Sequence, residues 1–308
     1  MQVFQHLGAR VCLLICFLGS AQISFAQGET DSTEVDDRQF LRLLQQAKEL
    51  NEEQTWRAER TQNPRILTRL AQDEDSGVRF AVAFNSVTPS QALDMLSQDP
   101  NETVRWAVAM NASIPDGAML RLATDYAEIV RLGLVANPKV SPEVLRNLAS
   151  DVSVTVRRKV AVNPNTPPVM LEILSEDEER SVRLVVAGNP NTPGDVMDRF
   201  SVESDEAFRI ATSANTGASP AILLGLVFDT SIEVRKRAAA HRAMPGPGLR
   251  RLADDSDVEV RRAVVGNANT TQTALQQLAF DQDEEIKRQA RNRLGQLLKK
   301  QIAEDRER

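Results

Sequence analysis

The sequence predicts an all-α chain built as a helical-repeat solenoid, and three observations carry that expectation. An apolar residue followed by a base recurs at Val78-Arg79, Val104-Arg105, Val130-Arg131, Val156-Arg157, Val182-Arg183, Phe208-Arg209, Val234-Arg235, Val260-Arg261 and Ile286-Lys287, at a constant interval of 26 residues. Columns of leucine, acid and asparagine keep the same register around every pair. Aliphatic residues within each period are spaced three or four apart, as one face of a helix requires. A period this regular is the mark of stacked like units, so about nine to ten two-helix repeats are expected over residues 52–293.

Ahead of the array lies an address. Arg10 precedes the apolar run from Val11 to Leu18, and small residues follow at Gly19, Ala21, Ser24 and Ala26. A charged start, a short apolar stretch and a small-residue exit predict a signal peptide over residues 1–26, cut after Ala26 or after Ala21. The run is too short for a membrane span, which needs about 20 apolar residues. Lipid attachment at Cys16 is disfavoured by the bulky Ile15 before it. The expected location is therefore the periplasm or the outside of the cell. Residues 27–37, polar and acidic, read as a flexible leader, and residues 38–51, with Phe40, Leu43 and Leu44 on one face, as an N-terminal capping helix.

Each repeat then reads as two short helices. The first carries two leucine columns, such as Leu67 and Leu70 or Leu145 and Leu148, followed by a small residue at Ala71, Ser97, Ala123, Ala149 and Ser175. Its start is marked by Thr88-Pro89, Ser141-Pro142, Thr166-Pro167, Thr192-Pro193 and Ser219-Pro220, read as a capping hydroxyl before a first-turn proline. The second helix starts after caps at Asp75, Asn101, Ser153, Asp205, Ser231, Asp257 and Asp283, and buries the recurring valine and the aliphatic residue four later. It ends at Asn85, Asn111, Asn137, Asn163, Asn189, Asn215 and Asn267, with His241 as the exception; asparagine tolerates the left-handed conformation that closes a helix. A shortened unit with Trp56-Arg57 and Asn63-Pro64 precedes the array. A capping segment from Asp283 onward closes it, with residues 294–308 as a terminal helix and charged tail. No single unit can bury enough to stand alone, so stability must come from stacking.

Residues 148–167, Leu-Ala-Ser-Asp-Val-Ser-Val-Thr-Val-Arg-Arg-Lys-Val-Ala-Val-Asn-Pro-Asn-Thr-Pro, strongly resemble the leucine-rich repeat variant family, within the wider group of HEAT- and armadillo-like solenoids. The resemblance covers about residues 52–293 and implies a right-handed α-solenoid of short α and 3₁₀ or α segments. Some relatives carry a cysteine cluster for iron and sulfur. This chain's Cys12 and Cys16 both lie in the signal segment, so that feature does not transfer and no cofactor or metal is expected.

Composition narrows the function. Removal of residues 1–26 takes away Arg10 alone and leaves 36 bases against 43 acids, a net charge of −7. With a pI near 5.2 and an export signal, a nucleic-acid partner is not expected. Charge is uneven: residues 27–226 are net −10 and residues 227–308 net +3.

The most conspicuous chemistry is the acid five residues before each valine together with the base after it. Asp99, Arg105, Asp125, Arg131, Asp151, Arg157, Asp177 and Arg183 are expected to form a structural ladder, each Asp tying backbone amides or the Arg of an adjacent unit. The competing reading is a cationic stripe for an acidic ligand. Two residues after each valine the column is less uniform. Phe80, Trp106, Leu132, Arg158, Lys236, Arg262 and Arg288 are the candidate partner contacts, grading from apolar to basic, although Phe80 and Trp106 would equally serve as inter-repeat core. The His241–Gly248 segment reads as a loop variant.

No catalytic constellation is present in sequence; Glu203, Asp205 and Glu206, in the most divergent unit, are the acids an enzyme would have to use. The expected function is a non-catalytic, exported scaffold that holds a protein or peptide along the groove of the solenoid. The alternatives are a structural envelope component without a groove ligand, or a HEAT-like enzyme or enzyme accessory.

Overall fold

A computed structural model describes residues 52–307. The signal segment, acidic leader and N-terminal capping helix expected from the sequence lie outside the described residues. Among the described residues there are nineteen helices and no strand, so the chain is an all-α repeat solenoid. They fall into two compact units, one ending at Leu148 and the other beginning at Ala149. In both units, seven-residue first helices such as Ser90–Leu96 alternate with nine-residue second helices such as Glu102–Met110. Both are α-helical throughout.

The columns read from the sequence account for the core. Val78, Val104, Val130, Val156, Val182, Val234, Val260 and Ile286 are fully buried, as are Leu67, Leu93, Leu145, Leu171, Leu223, Leu249 and Leu275. Ala81, Ala83, Ala107 and Ala109 fill the seam between neighbouring second helices, and their small size lets these helices approach closely. Within each unit the second helices consequently form the more tightly spaced layer. All seven expected second-helix caps accept a backbone N–H of their own first turn, for example Asn101 from Thr103 at 2.8 Å and Asp283 from Glu285 at 3.0 Å.

The five hydroxyl–proline pairs occupy two register positions one residue apart. Ser141 and Ser219 cap the first helix, accepting from Val144 and Ile222, with proline as the first helical residue. At Thr88, Thr166 and Thr192 the proline itself is the cap residue. The threonine hydroxyl donates instead to the carbonyl of Val82, Val160 or Val186, at 2.5–2.6 Å, near the end of the preceding second helix. That carbonyl also accepts the N–H of Asn85, Asn163 or Asn189 at 3.0–3.1 Å, so the hydroxyl takes its second lone pair and ties the loop back to the helix end.

The asparagine column also works differently from expectation. Asn85, Asn111, Asn137, Asn163, Asn189, Asn215 and Asn267 all have extended backbones, with φ between −64° and −76°, and no described residue has positive φ. Their value lies in the side chain. The Asn111 amide donates to the carbonyls of Ala83 and Asn85 in the preceding repeat, at 2.7 and 3.0 Å, and its oxygen accepts from the Ser113 N–H. Asn137, Asn189, Asn215 and Asn267 repeat the first pattern on their own predecessors. Helix ends left open by the chain are thus closed by the next repeat.

At the C-terminus one continuous helix, Glu284–Glu307, spans the end of the last repeat and the expected capping segment without a break. Arg293, 26 residues after Asn267, takes the asparagine's place and donates to the carbonyls of Val265 and Asn267. No described helix is long and apolar enough to cross a membrane.

Candidate functional site

The acid–arginine ladder comes first, because it decides which charges remain for a partner. Six of the arginines are seen to reach forward. The Nε of Arg79, Arg105, Arg157, Arg209, Arg235 and Arg261 lies 2.6–2.7 Å from the carboxylate of Asp99, Asp125, Asp177, Asp229, Asp255 and Asp281, the acid of the following repeat. A second bond from Nη2 makes each pair bidentate. The remaining Nη1 donates back to carbonyls in its own repeat, as Arg105 does to Asp99 and Pro100. Each aspartate also accepts the N–H two residues on, as Asp125 does from Ala127. Arg131 and Asp151 make the corresponding backbone bonds, to the Asp125 carbonyl and from the Ser153 N–H.

Burial alone would raise Asp177, but its bonds from Arg157 and the Glu179 N–H, with Arg183 nearby, hold it below the ordinary carboxylate value; Asp255 and Asp281 are held down in the same way. These groups are committed to one another.

Arg183 departs from the expected ladder. It donates to the carbonyls of Asp177 and Glu178 and makes no ion pair among the described residues. The first helix of the next repeat, Gly194–Ser201, is one residue longer than its counterparts, and Glu203 after it is exposed. The other acids of this divergent unit are occupied. Asp205 caps a second helix and pairs with Arg180 at 2.6 Å, and Glu206 accepts from the Ser231 hydroxyl. Glu203, Asp205 and Glu206 therefore serve the surface and the caps and converge on no common point. Among the described residues no group of three His, Cys, Asp or Glu is placed to hold a metal ion.

The column two residues after the valine lies on the second helices. In the first unit Phe80 and Leu132 are half-buried and Trp106 is only 6% exposed. Phe80 stacks with Trp106 at 6.2 Å between centroids, and Phe84 joins both rings at 6.0 and 6.4 Å. Phe84 is 41% exposed, so the open part of this aromatic cluster belongs to a residue that the column missed. Its spacing of four from Phe80 on one helix was the available signal. The indole lies over Gly133, where a Cβ would come within 3.0 Å of the Trp106 Cδ1. Gly133→Val is expected to displace the ring at a cost of about 1–3 kcal/mol, seen as a red shift in tryptophan emission and a lowered urea midpoint.

In the second unit the basic members of the column are mostly neutralised on their own helices. Lys236 pairs with Glu233, Arg262 with Glu259 and Asp283, and Arg288 with Glu285. Arg158 and the adjacent Lys159 make no ion pair among the described residues.

No protein-family model matches the sequence, and no curated protein matches it. Among solved structures the chain is similar to a leucine-rich repeat variant described as having a novel repetitive structural motif. That likeness has a TM-score of 0.50 at 28% identity, over 66% of this chain and 81% of the other. An engineered protein (TM-score 0.38, 17% identity, 73% and 86% covered) and the Escherichia coli protein YibA (0.35, 19%, 88% and 99%) also match. The first likeness joins the sequence register and the stacked two-helix geometry. The chain is a helical-repeat solenoid, similar in fold to that leucine-rich repeat variant.

Proposed function

We propose that the protein is an exported, non-catalytic interaction scaffold that holds a protein or peptide on the second-helix face of its first unit. The observation carrying this reading is the stacked platform of Phe80, Phe84 and Trp106 with its exposed Phe84 edge. Rigid aromatic anchors supply large contact area at low entropic cost, and a few such residues dominate binding energy. The second helices form the more closely packed layer within the unit, and solenoids place extended binding surfaces along such a stacked layer. The ladder supports the reading by elimination, since its arginines are already satisfied by aspartates and carbonyls.

Phe84→Ser, at the exposed edge of the stack, is expected to weaken partner binding at least tenfold, about 1.4 kcal/mol, while thermal unfolding stays close to wild type. The measurement is affinity capture from cell-envelope extract followed by titration of the captured protein. Identical capture by both forms, or capture by neither, would reject the platform and favour a purely structural envelope role.

A further inference from the structure

His241 stands at an asparagine position, and its ring reproduces two of the three asparagine bonds. Nε2 lies 3.0 Å from the Asn215 carbonyl oxygen in the preceding repeat, and Nδ1 accepts the Ala243 N–H at 3.0 Å. A carbonyl can only accept and an amide N–H only donate, so this site selects neutral imidazole with its proton on Nε2. An asparagine makes the same bonds at any ordinary pH. A histidine loses one of them when Nδ1 binds a proton, because two N–H donors then face each other.

The joint has little to compensate. Thr88, Thr166, Thr192 and Thr270 tie their loops to the carbonyl of the preceding second helix, but Met244 occupies that register position here. Met244 packs into the space left by Gly248, where a Cβ would lie 2.5 Å from its sulfur. We propose that the His241 joint is an acid-sensitive hinge, closed when the imidazole is neutral and loosened when it is protonated.

The groups around the ring agree. Burial of the imidazole, opposed by its bond to the Asn215 carbonyl and reinforced by the positive charge of Arg242, holds it below its ordinary value of 6.5. Arg237 and Glu233 on the same helix pair with each other. The preceding loop offers Asn215 and Gly217, and the following loop Asn267 and Asn269, none of which titrates. Arg293 is held by the carbonyls of Val265 and Asn267. A base whose folded value is depressed contributes its full stability above 6.5 and loses it as pH falls through the lower folded value.

The experiment is hydrogen exchange of the full chain between pH 8 and pH 5, corrected for intrinsic rates, on wild type and His241→Asn. Wild-type protection at Ala243, Met244 and the helix Gly246–Leu252 should fall below pH 6.5, by up to about tenfold per pH unit. His241→Asn, which restores the usual rung, should remove that dependence. Parallel loss in both proteins would overturn the hinge. The chain has two histidines, His6 and His241, so ring nitrogen resonances in wild type give a second readout that needs no variant. A buried ring titrating below 6.5 as the Nε2–H tautomer is expected; one titrating at or above 6.5, or carrying its proton on Nδ1, would overturn the proposal.

Discussion

Asp125→Ala is expected to destabilise the protein by about 3–5 kcal/mol, the usual effect of removing one partner from a buried ion pair. Asp125 and Arg105 are each about 6% exposed at the side chain, the most buried of the six bidentate pairs described above. Without the carboxylate, Arg105 keeps its bonds to the Asp99 and Pro100 carbonyls and its stacking on Tyr126 at 4.6 Å, but its charge is unmatched. The Ala127 N–H loses its acceptor as well.

Because solenoid stability is close to a sum of neighbour terms, the damage should be local. Hydrogen exchange should rise in the two repeats that Arg105 and Asp125 join and remain unchanged in the repeats beyond Asn189. Unfolding within a degree of wild type would show that the ladder contributes nothing to the stack and return the arginine column to ligand binding. The ladder has its own acid limit. Carboxylates held down, as Asp177, Asp255 and Asp281 are, contribute stability above their ordinary value of 3.8 and lose it as pH falls through the lower folded value.

Asn215→Ala is the second large effect expected. The side chain is 2% exposed, donates to the carbonyls of Ala187 and Asn189 at 2.8 Å each, and accepts the Gly217 N–H at 2.8 Å. Each buried polar group left without a partner costs about 1–3 kcal/mol, so a loss of roughly 3–9 kcal/mol is expected from three such groups, checked by urea unfolding. Asn215→His should recover part of it, since His241 reaches one carbonyl and one N–H from the same position. If Asn215→Ala unfolds like wild type, water replaces the side chain and the asparagine column is only a helix terminator.

These predictions rest on partners that reading along the chain could not assign. The register, the two-helix unit, the buried columns and the second-helix caps were all legible, because helix periodicity and capping are properties of a few consecutive residues. Asp75, Asn101 and Asp257 cap from within their own turn, so their role needs no knowledge of a neighbour. Thr88 shows where that reasoning stops: its hydroxyl is offered both to a following helix and to a buried carbonyl six residues back, and burial decides for the carbonyl. Phe84 and Gly133 were likewise legible as residues but not as a surface, because the indole between them belongs to a different helix from either.

Composition and spacing, then, were enough for the fold class, the number of repeats and the apolar core, since each is written into the chain at intervals of 26 residues. Direction was not. That Arg105 turns to the acid 20 residues ahead, while Asn111 turns to carbonyls 26 and 28 residues behind, follows only from how one repeat is laid against the next. The same stacking leaves Phe84 open, closes Trp106, and puts an imidazole where its neighbours have an amide. Local sequence sets which groups can bond. Their partners are chosen by the packing of adjacent repeats, which brings together atoms that no short-range pattern relates.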